Sequence, residues 1–330
     1  MRTLVAAIAM LAATSGIAFA AGKSEQSLAL EGKIPLGEVA GRIDHLAIDA
    51  RHQRMFVAEL GNDSVAVVDL AERRVVRTLT GIPGPQGIAY DQASDTLFVA
   101  AGGDGSLRLF RGIPLAPDGR VEVGTDVDNV RIDPNRREVY AGSGDGELTV
   151  IDAASHRVKA RVALAAHPES FQIEESGSRV FINVPEARSI AVVDRLAGRQ
   201  TAAWSTHELA ANFPMAIDGV RRYLLVGFRT PAALVAVDIA DGARVSTTAA
   251  CGDADDIHLD VKRRRVYMSC GEGCVDVFAA DARDYPRVAR IRTLKGARTS
   301  LFSAELDRLF LAARAYAGEP AAIWVFRPTP

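Results

Sequence analysis

The stretch "DVDNVRIDPNRREVYAGSGDGELTVID", Asp126 to Asp152, holds three short apolar runs separated by polar turns. One run closes on Asp133, a second follows the turn "DPNR", and a third follows "GDG" and closes on Asp152. Short runs rich in Val, Ile, Leu and Tyr, punctuated by Gly, Asp, Asn and Pro, read as antiparallel strands. The same shape stands at "GRIDHLAIDARHQRMFVAEL" from Gly41 and at "GPQGIAYDQASDTLFVAAGG" from Gly84. It returns at "NFPMAIDGVRRYLLVGF" from Asn212 and "ADDIHLDVKRRRVYMSCGE" from Ala254.

Aligned on the acid that ends the first run, the copies fall at Asp49, Asp91, Asp133, Glu174, Asp218 and Asp260, with Ser303 in the seventh place. The steps are 42, 42, 41, 44, 42 and 43 residues. A second marker closes each third run, at Asp69, Phe110, Asp152, Asp194, Asp238, Phe278 and Phe326. Two markers sharing one period define seven units. Four short strands in about 42 residues is the signature of a propeller blade. The last unit stops one strand short at Pro330, and the missing strand stands in "SLALEGKIPLGEV", Ser27 to Val39. The expected fold is therefore all-β: a single seven-bladed β-propeller with four antiparallel strands per blade. The N-terminal strand closes the ring in blade seven, because an open edge would template pairing with other chains.

Ahead of the repeats, Arg2 precedes an apolar run from Leu4 to Ala18, and "AFA" at Ala18 to Ala20 has the small-x-small form of a signal peptidase site. The run is short for a membrane span. The domain expectation is a secretory signal at residues 1–20 and a propeller at 21–330, in a periplasmic or secreted protein with no transmembrane segment after cleavage. A formal charge of −2 on 39 basic and 41 acidic residues argues against a chain-wide nucleic-acid or membrane surface. Three cysteines, Cys251, Cys270 and Cys274, suggest one disulfide and one thiol in an oxidising compartment. The preferred pair is Cys251–Cys270, since a hairpin pair such as Cys270–Cys274 needs a particular geometry to reach disulfide distances.

Units of the form "VRIDPNRREVYAGSGDGELTVID" resemble the YVTN β-propeller repeat, and the signal-bearing chain resembles its exported YncE-like group. "NFPMAID", "GDADD" and "ARTSLF" are similar to loop signatures of blades five, six and seven in that group. The resemblance covers the chain after the signal and implies the propeller fold. It says little of activity, because similar propellers serve as binding modules, lactonases and redox-enzyme subunits. Nucleic-acid binding has been proposed in the group, but no basic stripe in this sequence carries it over.

Residues that repeat belong to the blade. The marker aspartates open turns, where the side chain bonds the backbone two residues on. The "GGDGS" and "GSGDG" stretches open no helix and read as tight hairpin turns. Function should lie where the repeated loops differ. The loop before each first strand crosses to the ring's centre, and only these loops concentrate unrepeated ionisable residues. The expected ligand-binding mouth comprises Asp44, His45, Asp128, Asn129, His167, Glu169, Asn212, Asp253, Asp255, Asp256 and Arg298, with Arg42 and Asp126 beside them. An acidic funnel of this kind gathers cations. Asp44, His45, His167 and Glu169 form the candidate metal-ligand set, since imidazole and carboxylate suit Zn or a similar divalent ion. His258 lies inside a strand and reads as a satisfied interior histidine.

Several motifs are missing: a Gly-x-Ser-x-Gly elbow, a second His after "HELAAN", and Cys-x-x-Cys-His. The functional expectation is a monomeric binding protein that holds a cationic or metal-containing small ligand, or a protein or peptide partner, at its mouth. No catalysis is required and no nucleic-acid partner is expected. One alternative is a lactonase-like hydrolase in which a divalent ion polarises a carbonyl. Another is a non-catalytic interaction module of an envelope complex.

Overall fold

The structure, a computed structural model, describes residues 27–330. The expected signal at residues 1–20 lies outside the described residues. Seven four-stranded sheets, every pairing antiparallel, stand around one axis. Each first strand packs against that of the next blade, from Leu46–Asp49 round to Ser300–Ser303, which meets Leu46–Asp49 again. The ring closes as expected: Leu28–Pro35 pairs antiparallel with Ala322–Pro328 and completes blade seven. Among the described residues no helix is long and apolar enough to cross a membrane.

The strands follow from their side chains. Second and third strands, such as Arg54–Glu59 and Ser64–Asp69, are buried on both faces and read as near-continuous apolar runs. Outermost strands such as Arg199–Ser205 alternate toward solvent and are correspondingly polar. Seven apolar clusters form the core, one at each interface between neighbouring blades. Phe56 and Phe98 illustrate the packing: each is fully buried, worth about 2–3 kcal/mol of transfer free energy. In blades one to six the register of the outermost strand slips by one residue midway, as at Val67/Val68 and Val277/Phe278. Such a bulge bends the strand and raises its twist.

The repeated acids do what turn chemistry demands. Asp133 accepts from the backbone N–H groups of Asn135 and Arg136 at 3.0 and 3.2 Å. Asp218 does the same for Val220 and Arg221 at 3.2 and 3.1 Å. These acids mark the base of the ring, and the loops leading into the first strands mark its mouth.

Candidate functional site

At the mouth Asp44 and His45 of blade one meet Asp128 of blade three. His45 Nε2 lies 3.7 Å from Asp44 Oδ1 and 3.8 Å from Asp128 Oδ1, short of a hydrogen bond to either. Arg42 reaches Asp44 at 2.9 Å. Both Asp44 oxygens and Asp128 Oδ1 are nevertheless buried without a hydrogen-bond partner among the described residues. Blade two packs directly against this loop: a Cβ on Gly87 would collide with the Asp128 carbonyl, so only glycine permits the approach.

Across the collar the acids are paired. Asp255 takes Arg229 at 2.5 Å and Arg298 at 3.1 Å. Asp253 takes Arg298 at 2.9 Å and Arg229 at 3.3 Å. The Arg229 guanidinium also lies 3.6 Å from the centre of the Phe213 ring, a cation–π contact that fixes its plane. Arg229 comes from the end of Tyr223–Thr230, a second strand, so a search confined to the loops before first strands misses it. It makes the collar more balanced than the acidic funnel expected from those loops.

The electrostatic consequences are uneven. Burial, reinforced by the negative charge of Asp44, pushes the Asp128 carboxyl well above the usual range. Burial and the Asp255 charge push Glu169 up to about 7, against the pull of Arg229 and Arg42. Asp255 stays above its ordinary value because burial outweighs Arg298 and Arg229. Asp256 is pushed well up by burial and by Asp255, although its Oδ2 accepts from the Ser300 N–H at 2.7 Å.

Other expected mouth residues serve different ends. Asn212 is fully buried, and its amide donates to Asn183 Oδ1 at 2.9 Å and the Ser189 carbonyl at 3.0 Å, tying blade five to blade four. Asn129 is buried with its Oδ1 unpartnered, and so is His167 Nε2. Among the described residues, the one group of three potential metal ligands whose atoms lie within 4.8 Å of one another is Cys251, Glu272 and Cys274. Asp44, His45, His167 and Glu169 do not form such a group.

The disulfide differs from expectation. Cys251 bonds Cys274, with Cα atoms 6.6 Å apart, and Cys270 is the buried free thiol. The Cys251 N–H donates to Asp276 Oδ2 at 2.8 Å, and Asp276 lies two residues beyond Cys274 on one face of Cys274–Ala279. That bond seats the loop over the third strand, where Cys251 meets Cys274, while Cys270 stands opposite Cys274 on the second strand.

Beneath the collar the first strands enclose a cavity of 450 Å³ along the axis. Its wall begins at His45, Ser170 and Asp256 and continues past the strand ends to Gln92 and Glu305. Counting two residues back from each marker gives Ala47, Ala89, Arg131, Gln172, Ala216, His258 and Leu301, and all but Ala216 line this channel. The period could have revealed the three polar members, had the count been taken inside the strands as well as in the loops. His258 is satisfied as expected: Nε2 lies 3.2 Å from the Ser300 carbonyl and 3.2 Å from its Oγ. Burial pushes its pKa down to about 4, so it is neutral at pH 7.

The chain is similar in structure to hydrazine synthase of Kuenenia stuttgartiensis, with a TM-score of 0.76 and 16% identity. The likeness covers 90% of this chain and 99% of that one. It shows a shared seven-bladed propeller fold. No protein-family model and no curated protein matches the sequence.

Proposed function

We propose that the protein is an exported, monomeric ligand-binding propeller of the YVTN kind that holds a protonated amine or similar cation in its collar. One observation carries this reading: Asp44 and Asp128 present three buried carboxylate oxygens that accept no hydrogen bond, and the Arg42 ion pair at Asp44 offsets one of the two charges. Buried carboxylates without donors are costly, and a bound cation bearing N–H groups would supply both charge and donors. The gaps of 3.7 and 3.8 Å to His45 are too wide for hydrogen bonds within the protein. An amine suits this spread better than a transition metal, whose ligands must converge to about 2 Å from the ion. The hydrolase alternative asks for such a converged set at the mouth and gains no support from the side-chain positions. Export rests on the Leu4–Ala18 run and the site at "AFA".

Thermal melts with putrescine, methylguanidine, Ca²⁺, Mn²⁺, Zn²⁺ and EDTA test this reading. The amines should raise the melting temperature with concentration, by mass action. An Asp44→Asn/Asp128→Asn variant should lose that response. A response to metal alone would replace the amine with a metal ion, and no response, or an equal one in the variant, would refute a collar site.

A further inference from the structure

We propose that the central channel is a separate binding site, taking a small organic monocarboxylate whose charged end is read by Arg131. The inference stands without the collar reading, since it depends on residues deeper in the ring.

Arg131 occupies the inward position of Val130–Asp133 and lines the cavity. Its Nη1 donates to the carbonyl of its own neighbour, Val130, at 2.9 Å. Its guanidinium carbon lies 5.8 Å from the centre of the Phe171 ring. No carboxylate among the described residues comes within 4.0 Å of it, and no other acceptor is bonded to it. A guanidinium has five N–H donors. Arg131 therefore keeps most of its donors for whatever fills the channel.

The neighbouring polar groups are already committed. Gln172 Nε2 donates to the Met215 carbonyl at 2.8 Å. His258 is held by Ser300, whose Oγ also bonds Ser269 Oγ at 2.8 Å. Asp256 accepts from the Ser300 backbone. Among the described residues Arg131 is thus the channel's one cation with open hydrogen-bonding capacity, in a wall that mixes apolar side chains such as Ile48, Ile257 and Phe302 with polar ones such as Ser170, Gln172 and His258.

A fork of parallel N–H groups matches a carboxylate bidentately, and low-dielectric walls strengthen the pair. The isoleucines and Phe302 of the mixed wall give a short hydrocarbon or aromatic body a surface to lie against, and 450 Å³ lies within the usual range of small-ligand sites. Charge sets the valence. Asp256 and Asp128 act on Arg131 at longer range, and Glu305 stands in the channel wall. With a single guanidinium and acids close by, each added negative charge on a ligand is costly, so the channel disfavours phosphate or a dicarboxylate more than a monoanion.

The test is calorimetric titration and thermal melting of the wild-type chain with acetate, butyrate and benzoate. Each acid is matched against its neutral amide, with inorganic phosphate as a second control. At least one monocarboxylate should bind and raise the melting temperature, while its amide and phosphate do not. Arg131→Gln should weaken that binding by about ten-fold to a hundred-fold, the scale of a lost charged hydrogen-bond pair. Arg131→Lys should retain an intermediate affinity. The proposal is overturned if no carboxylate binds, if the amide binds as well as the acid, or if Arg131→Gln binds as tightly as wild type. The acid–amide comparison needs no variant, so it decides the matter even where Arg131→Gln does not fold.

Discussion

Asp218 at the base of the ring and Asp128 at its mouth are both buried aspartates, 0% and 7% exposed, yet their surroundings are opposite. Asp218 receives two backbone N–H groups, the Tyr285 hydroxyl at 2.9 Å and the Arg264 guanidinium at 3.1 Å. Asp128 faces the charge of Asp44 and keeps an oxygen with no donor. The contrast extends to other acids. At the base, burial pushes the Asp49 carboxyl up, but bonds from Arg54 and His52 outweigh it and hold it below the usual range. Glu174 is held low by Arg179. At the mouth Asp128, Glu169, Asp255 and Asp256 are all pushed up. A carboxylate that recurs from blade to blade is built into the blade with its donors. One that occurs once stands where seven loops meet and depends on what binds there.

Base and mouth are distinct only in a closed ring, and closure carries the largest expected effect. Removing residues 21–40 strips blade seven of the strand Leu28–Pro35 and exposes the edge of Ala322–Pro328. The truncated chain is expected not to fold, or to lose several kcal/mol, in thermal and denaturant unfolding. A melt matching that of residues 21–330 would mean closure does not depend on this strand.

Next comes the base. Asp218→Ala leaves the Tyr285 hydroxyl and two backbone N–H groups without their acceptor and Arg264 with the Ala280 carbonyl alone, which should cost about 2–4 kcal/mol. Urea unfolding measures it, and a cost near zero would remove the base acids from the scaffold.

The mouth is tied by its disulfide. Cys251 and Cys274 are 23 residues apart, and opening a loop of that size costs about 3 kcal/mol in the chain-entropy account. Dithiothreitol should lower the melting temperature of wild type and of Cys270→Ala alike, and leave Cys274→Ala unaffected. Non-reducing peptide mapping that found Cys270 in the bond would overturn the pairing.

Titration separates the two ends by sign. An unfolded Glu releases its proton near 4.5, whereas folded Glu169 keeps it up to about 7. Between those values the folded chain binds more protons, so stability falls as pH rises from about 4.5 to about 7. Asp49 and Glu174 act in reverse: their stabilisation is present above about pH 4 and is lost as pH falls below it. Glu169→Gln should flatten the upper limb by about 2 kcal/mol, less than the full shift implies because the side chain is partly exposed, and leave the acid limb intact. Melting curves from pH 3 to 8 show whether the limbs separate.

The smallest effect has the opposite sign to the base variants. Asp128→Asn removes a charge that the fold disfavours and should stabilise the protein by about 1 kcal/mol at pH 7, as substitutions at strained sites commonly do. A loss of stability instead would place Asp128 with the scaffold acids.

The sequence by itself determined the period, the seven blades, the strand that closes the ring and the turn role of the repeated acids. All of these arise from contacts within a blade or between its direct neighbours, so they recur every 42 residues or so and are visible by alignment. It also separated mouth from base, because strand direction alternates. Tertiary structure alone decided which mouth residues meet. His45 lies between Asp44 and Asp128 of another blade, Arg229 enters from a second strand to pair Asp253 and Asp255, and Asn212 is drawn into a seam between blades. It also set Cys251 over Cys274 and left Arg131 facing an open channel. These outcomes depend on ring diameter, register and the close approach of residues one or several blades apart. Such distances appear only when the seventh blade closes on the first.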